Sequence, residues 1–156
     1  MDNSLAGLIA ALSARIDRQL EVVDGTKVHV DFDDFALLIE YFPQAGQVLL
    51  ASAVAEVPER GRAGLYKTLL QGHFLFGRTG GASLALDPAG KFICLQIAQS
   101  IAALTPDNFP DLVENFLNQA GEWRRRCLEA GREEPDDLAE PAAEAVLGPG
   151  PGLLRI

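Results

Sequence analysis

Cysteine is nearly absent from this 156-residue sequence. Cys94 and Cys127 are the only two, too few for the disulfide framework of a small secreted domain, so the reducing cytoplasm is the expected compartment. Histidine is as scarce, with only His29 and His73. Two separated histidines and two lone cysteines match no metal-ligand spacing, and no metal or other cofactor is expected. Bases are outnumbered, 13 Lys and Arg against 22 Asp and Glu, for a formal charge of −9. Nucleic acid binding needs a Lys/Arg surplus to neutralise phosphates, and anionic membranes attract bases for the same reason, so both partners are excluded. No apolar run reaches the roughly 18 residues of a membrane-spanning helix. The opening Met1-Asp2-Asn3-Ser4 lacks the basic flank of a secretory signal, and none is expected.

What is present is one domain's worth of chain with an ordinary content of 48% hydrophobic residues, enough to bury a core without staples. The charge is uneven. Residues 1–58 carry nine acids and three bases, whereas residues 59–100 carry two acids and five bases and are the only basic stretch. Residues 132–156 hold six acids and two bases with four prolines and three glycines. That composition cannot bury enough apolar surface to order itself. The expected organisation is a domain over 1–131 followed by a disordered or loosely attached acidic tail over 132–156.

Hydrophobic periodicity supplies the elements. Leu5, Leu8, Ile9, Leu12 and Ile16 form one stripe of a helix over about 4–20, with Ser4 as its N-cap. Asp24-Gly25 marks a turn, and Val28, Val30 and Phe32 alternate with His29 and Asp31 as a half-buried strand. The apolar runs 36–42 and 48–57, separated by Pro43 to Gly46, read as two antiparallel strands. Residues 59–76 read as a second helix, ended by Gly77-Arg78-Thr79-Gly80-Gly81. Strands over 82–87 and 91–97 flank Asp87-Pro88-Ala89-Gly90, a turn with proline at its favoured second position. Phe109, Leu112, Val113, Phe116, Leu117, Ala120 and Trp123 mark a long amphipathic helix, started by Thr105-Pro106-Asp107. The expected fold is α+β, in the order α-βββ-α-ββ-α, with a five-stranded, mainly antiparallel sheet and its helices on one face.

Chemistry-bearing groupings are few and weak. His29 beside Asp31 is explained by the polar face of a strand. His73, Ser83 and Asp87 could in principle form a hydrolytic triad, but no nucleophile elbow frames Ser83. Gly77 to Gly81 follows a helix and precedes a strand, the reverse of a phosphate-binding loop. Asp31, Asp33 and Asp34 lack the Gly and Glu of an EF-hand calcium loop. Arg124 to Arg126 fit the basic last turn of a helix. No catalytic residue is expected.

The second helix, by contrast, has more apolar residues than one buried face uses, with Leu65 and Leu69 beside Tyr66, Leu70, Phe74 and Phe76. Either Tyr66, Leu70, Phe74 and Phe76 all enter the chain's own core, or one side of the helix faces the sheet and another faces a second copy. The runs 36–42 and 48–57 likewise offer few polar residues for a wet sheet face. Exposed apolar surface of this kind indicates a binding module rather than an enzyme.

Three stretches resemble the signature region of the Tir-chaperone family, the class I chaperones of type III secretion. They are Leu69-Leu70-Gln71-Gly72-His73-Phe74, Thr79-Gly80-Gly81-Ala82-Ser83-Leu84-Ala85-Leu86-Asp87, and Lys91-Phe92-Ile93-Cys94-Leu95-Gln96. The element order and the closing helix with Glu122-Trp123 are also similar, so the resemblance covers about residues 4–130. His73 stands where the family often has Asn, and the Pro/Gly-rich tail is longer than usual. The resemblance implies an acidic bacterial homodimer that binds the N-terminal segment of a secreted effector in extended form and keeps it secretion-competent without ATP. The secretion apparatus is a further candidate partner. An effector strand joining a sheet edge, with side chains in apolar pockets, is the expected mode of binding. The negative charge then keeps a protein with exposed apolar patches soluble. The candidates for the dimer interface are Leu65, Leu69, Leu70, Phe74, Leu84 and Leu86; those for the effector surface are Leu8, Leu12, Val28, Val30, Phe32 and Leu38. The alternative is a regulatory or adaptor domain of the same fold that binds a folded protein.

Overall fold

A computed structural model describes residues 4–33 and 35–132. The expected boundary near Gly131 falls at the end of this range, and the tail beyond Arg132 lies outside the described residues. The elements follow the expected order: α1 (Leu5–Ile16), β1 (Lys27–Asp31), β2 (Ala36–Phe42), β3 (Gln47–Glu56), α2 (Arg62–His73), β4 (Ser83–Leu86), β5 (Phe92–Ser100) and α3 (Phe109–Ala130). The strands form one sheet in the order β1-β2-β3-β5-β4, and every pairing is antiparallel.

Helix α1 begins where Ser4 Oγ accepts the Gly7 N–H at 3.2 Å and buries Leu5, Leu8, Ile9 and Leu12. It stops at Ile16, short of the expected 20, because Asp17 turns left-handed at φ 51°, a conformation Asp tolerates better than most residues. Ser13 Oγ then accepts the Leu20 N–H at 3.3 Å and bends the chain back toward the Asp24-Gly25 turn and β1.

Strand alternation sorts the sheet into two unlike faces. Val28, Ile39, Leu50 and Ile97 are cross-strand neighbours, as are Val30, Leu37, Ser52, Leu95 and Leu84. Almost all of these are buried under the helices, and each fully buried aliphatic or aromatic side chain is worth ~1.5–3 kcal/mol. The opposite face carries the row His29, Leu38, Ala51, Gln96, Ser83, which no helix covers.

Helix α3 spans the covered face. Thr105 and Asn108 exchange hydrogen bonds ahead of it, the Thr105 N–H to Asn108 Oδ1 at 2.8 Å and the Asn108 N–H to Thr105 Oγ1 at 3.2 Å. Its buried stripe is Phe109, Val113, Phe116, Ala120, Trp123 and Cys127, a spacing that holds one helix face against the sheet. Trp123 is fully buried and its Nε1–H donates to the Arg78 carbonyl at 3.0 Å. Its six-membered ring lies so close to Gly72 that a Cβ there would meet ring carbon Cη2 at 2.0 Å. Helix α2 therefore docks on α3 through the one residue type that leaves room.

Helix α2 is shorter than the expected 59–76. It starts at Arg62, whose Nε donates to the Pro58 carbonyl at 2.9 Å, and ends at His73. A single 3₁₀ turn, Phe74–Phe76, follows, with Leu75 and Phe76 both left-handed at φ 52° and 55°. The chain thus reverses before the glycines that mark the break in the sequence. Across the β4–β5 turn, the Asp87 carboxylate accepts the N–H groups of Lys91 at 2.6 Å, Phe92 at 2.7 Å and Ala89 at 3.3 Å.

Two outcomes follow from these packings. Gly72→Ala should lower unfolding stability by about 1–3 kcal/mol through overpacking against Trp123. Gly64→Ala, in the same helix with open space around it, should be stabilising by about 0.4–1 kcal/mol; denaturant melts of the two variants check the contrast. The hydrogen bond from the Phe92 N–H, then those from Lys91 and Ala89, hold the Asp87 carboxyl below the usual carboxylate range. A lowered folded pKa gives stability that is present above the unfolded value of about 3.9 and is lost as pH falls through the folded one. Asp87→Asn should therefore remove part of the acid dependence of stability below about pH 4, read from melts across that range.

Candidate functional site

The apolar excess of α2 divides into two stripes. Leu65 and Leu69, seven and three residues before Gly72, point into the chain's own core and are buried. They were expected at a dimer interface, but the helical period turns them toward Trp123 and the sheet. Leu70 and Phe74, one step round the helix, point out and are 73% and 62% exposed. Leu75 and Phe76 extend this surface at 79% and 50% exposed; the left-handed turn that presents Leu75 has no marker in the sequence. Leu86, on edge strand β4, is 42% exposed, while Leu84 is half-buried against the core. Leu70, Phe74 and Leu86 are thus the expected interface residues that remain available.

The other expected surface is reduced in the same way. Leu8, Leu12, Val28 and Val30 belong to the buried core, because α1 packs beside α3 with its apolar stripe inward and β1 turns its valines to the same side. Phe32 and Leu38 are only half-buried. Leu38 stands on the uncovered sheet face, where a depression of ≈ 240 Å³ opens among His29, Asp31, Leu38, Ala51, Ala53 and Cys94. Small residues there leave room for incoming side chains. Strand β1 is an edge of the sheet, and its far end is held where Arg18 Nη1 donates to the Asp31 carbonyl at 2.6 Å. The edge and the depression lie side by side. A second hollow of ≈ 350 Å³ lies between Thr79, Gly80, Ile97 and the α3 residues Leu112, Asn115 and Gln119.

The groups that could have done chemistry are spent elsewhere. Asp87 caps the β4–β5 turn, and Ser83 sits at the opposite end of β4, roughly 13 Å away at 3.3 Å per strand residue. The ring of His73 stands edge-on to Phe76, with centroids 5.1 Å apart. Burial pushes the Cys127 thiol up to about 11 and raises that of Cys94 as well, so neither favours a nucleophilic thiolate. Gly80 and Gly81 take φ of 61° and 88° in the loop into β4, as a helix-to-strand turn requires. Among the described residues no three His, Cys, Asp or Glu side chains converge to hold a metal ion, and no helix is long and apolar enough to cross a membrane. The surface is suited to protein contact.

Comparison with known proteins agrees with this surface. The model of the Tir chaperone protein (CesT) family matches residues 7–124. Among solved structures, a chain of the ExsC–ExsE complex is 21% identical with a TM-score of 0.66, over 76% of this chain and 89% of that one. A chain of the heterodimeric ExoU–SpcU complex from the type III secretion system of Pseudomonas aeruginosa is 18% identical with a TM-score of 0.61, over 79% and 96%. A chain of the Yersinia pestis type III secretion chaperone SycH in complex with a fragment of YscM2 is 14% identical with a TM-score of 0.57, over 74% and 96%. No curated protein sequence gives a significant match. With the family's model matched from α1 to within the last turns of α3, the chain belongs to the Tir chaperone protein (CesT) family.

Proposed function

We propose that this protein is a bacterial cytoplasmic chaperone that binds the N-terminal segment of a type III secreted effector in extended form, as a homodimer and without nucleotide hydrolysis. The observation that carries this reading is a pair of apolar places on the surface, one exposed and one half-buried. The first is the outward stripe of α2 with its following turn and Leu86; the second is the bare sheet face around Leu38 beside edge strand β1. A homodimer uses the first and an effector segment the second. Solved relatives of the same fold are described as complexes of a chaperone with its effector, such as HopA1–SchA, which supports the effector as partner class.

Each half of the reading suits the physics of its surface. Helix stripes pack well across a two-fold axis, because the same residues meet themselves. An edge strand instead offers unpaired N–H and C=O groups to an extended chain, and a face of small residues receives its alternate side chains. Release then follows from a competing affinity, and the chain's contribution to the partner is solubility.

Leu70→Asp and Phe74→Asp should leave the monomer folded, since both side chains point outward, and should convert a dimer to a monomer in multi-angle light scattering. A charge desolvated in the interface costs several kcal/mol, which is on the order of 10²-fold or more in dimer affinity. Wild-type chain that is monomeric at micromolar concentration defeats the dimer assignment. With co-expressed effector bound, hydrogen exchange should slow along β1 as well as around Leu38. Leu38→Arg should weaken capture of the effector at least tenfold while leaving the dimer intact. Protection confined to side-chain patches, with β1 exchanging freely, counts against binding in extended form.

A further inference from the structure

We propose that the hollow between α3 and the loop into β4 is a binding site for an extended, uncharged stretch of a partner polypeptide, gripped through its backbone amides. The hollow measures ≈ 350 Å³, and no charged side chain lines it. Its α3 wall carries Asn115, Asn118 and Gln119, three carboxamides that share one helix face at spacings of three and four residues. Their side chains make no hydrogen bond to another described residue. The acids of the same helix are turned elsewhere: Asp111 and Glu114 meet Arg15, and Glu122 meets Arg125 and Arg126. Across the hollow the chain is nearly bare. A Cβ on Gly80 would lie 3.7 Å from Gln119 Cδ and Nε2, so the glycine leaves the gap beside that carboxamide open. Thr79 lines the hollow, is fully buried, and its Oγ1 has no hydrogen-bond partner. A hydroxyl so placed is satisfied by a polar group or a water entering the hollow.

The spacing of the carboxamides selects the ligand. A primary amide accepts at its oxygen and donates from its nitrogen, so it pairs with both groups of a peptide unit. Asn115 and Gln119 are four residues apart, a rise of about 6 Å along the helix. Two residues of extended chain advance about 6.7 Å, and peptide groups two residues apart point the same way. Two carboxamides one turn apart therefore meet alternate peptide units of one strand. Ile97, Leu112 and Phe116 supply apolar contact for a side chain turned inward. A charged side chain would be desolvated there without a counter-ion, so the stretch that fits is uncharged. The inference rests on the proposed function for its ligand class, an extended polypeptide. The hollow itself lies on the helical side of the sheet, away from Leu38, and its test uses a free peptide.

Titration of the ¹⁵N-labelled full-length chain with the synthetic peptide acetyl-Ser-Leu-Ser-Val-Ser-Leu-Ser-amide, read at the side-chain NH₂ signals, tests it. The signals of Asn115 and Gln119 should shift saturably at millimolar or lower peptide. That of Asn108, engaged ahead of α3, should stay in place. The same peptide with alternate backbone nitrogens methylated keeps its side chains but loses N–H donors, and should bind at least about fivefold more weakly. Asn115→Leu/Gln119→Met preserves the volume, removes both carboxamides and should cost a similar factor. Should that double variant fail to fold, Asn115→Leu alone, at an exposed position, carries the same comparison. Leu38→Arg should leave this binding unchanged, so failure here is distinct from failure of the sheet-face reading. No peptide-dependent shift, with water alone in the hollow, overturns the proposal. So does equal affinity for the methylated peptide, undiminished binding by the apolar variant, or loss of binding in Leu38→Arg. Shifts that follow protein dilution instead of peptide assign the hollow to a second copy and overturn it as well.

Discussion

The contact of Trp123 with Gly72 is the joint on which the functional surface depends. An indole fully inside the core, hydrogen-bonded to the Arg78 carbonyl, holds α3, α2 and the loop into β4 at once. Its ring leaves no room for a side chain on α2, so the helix approaches to backbone distance and its rotation is set. That rotation decides which leucines are interior and which are surface. Leu65 and Leu69 go in, Leu70 and Phe74 go out, and the apolar stripe left over becomes available to a partner.

A second constraint is the one-sidedness of the sheet. Three helices cover one face, where Val, Leu and Ile alternate with the residues of the other. The uncovered face is neither strongly polar nor fully apolar. It carries Ala, Leu and Cys side chains with His29, Asp31 and the Lys27–Glu40 ion pair at 3.1 Å around them. Such a face stays wet in isolation and can be dried by a chain laid across it, and the edge of β1, taken at its two ends by the Val23–Lys27 bridge and by Arg18 on the Asp31 carbonyl, lies beside it. Strand pairing and side-chain burial can then act together on one ligand.

Charge completes the arrangement. A formal −9 opposes non-specific association of molecules that expose Leu70, Phe74 and Leu75. The exposed bases of residues 59–100 run against that trend.

The order of elements, the antiparallel sheet and the family resemblance were all legible in the residues, because strand and helix periods and turn residues are local properties. The Ser4 cap, the Asp87 turn and the stripe of α3 lie where the pattern put them. The candidate surface was legible only in part. Leu8, Leu12, Val28 and Val30 are as apolar as any binding residue, and nothing in their spacing says whether a helix of the same chain or a partner covers them. Leu75, the most exposed large apolar side chain among the described residues, owes its position to a left-handed turn placed ahead of the glycines. The sequence by itself determined which segments are helix or strand and that apolar surface is in excess. Only the tertiary structure decided which apolar residues that excess comprises, because facing is set by how Trp123 and Gly72 lock the helices, and such a contact joins residues far apart in the chain.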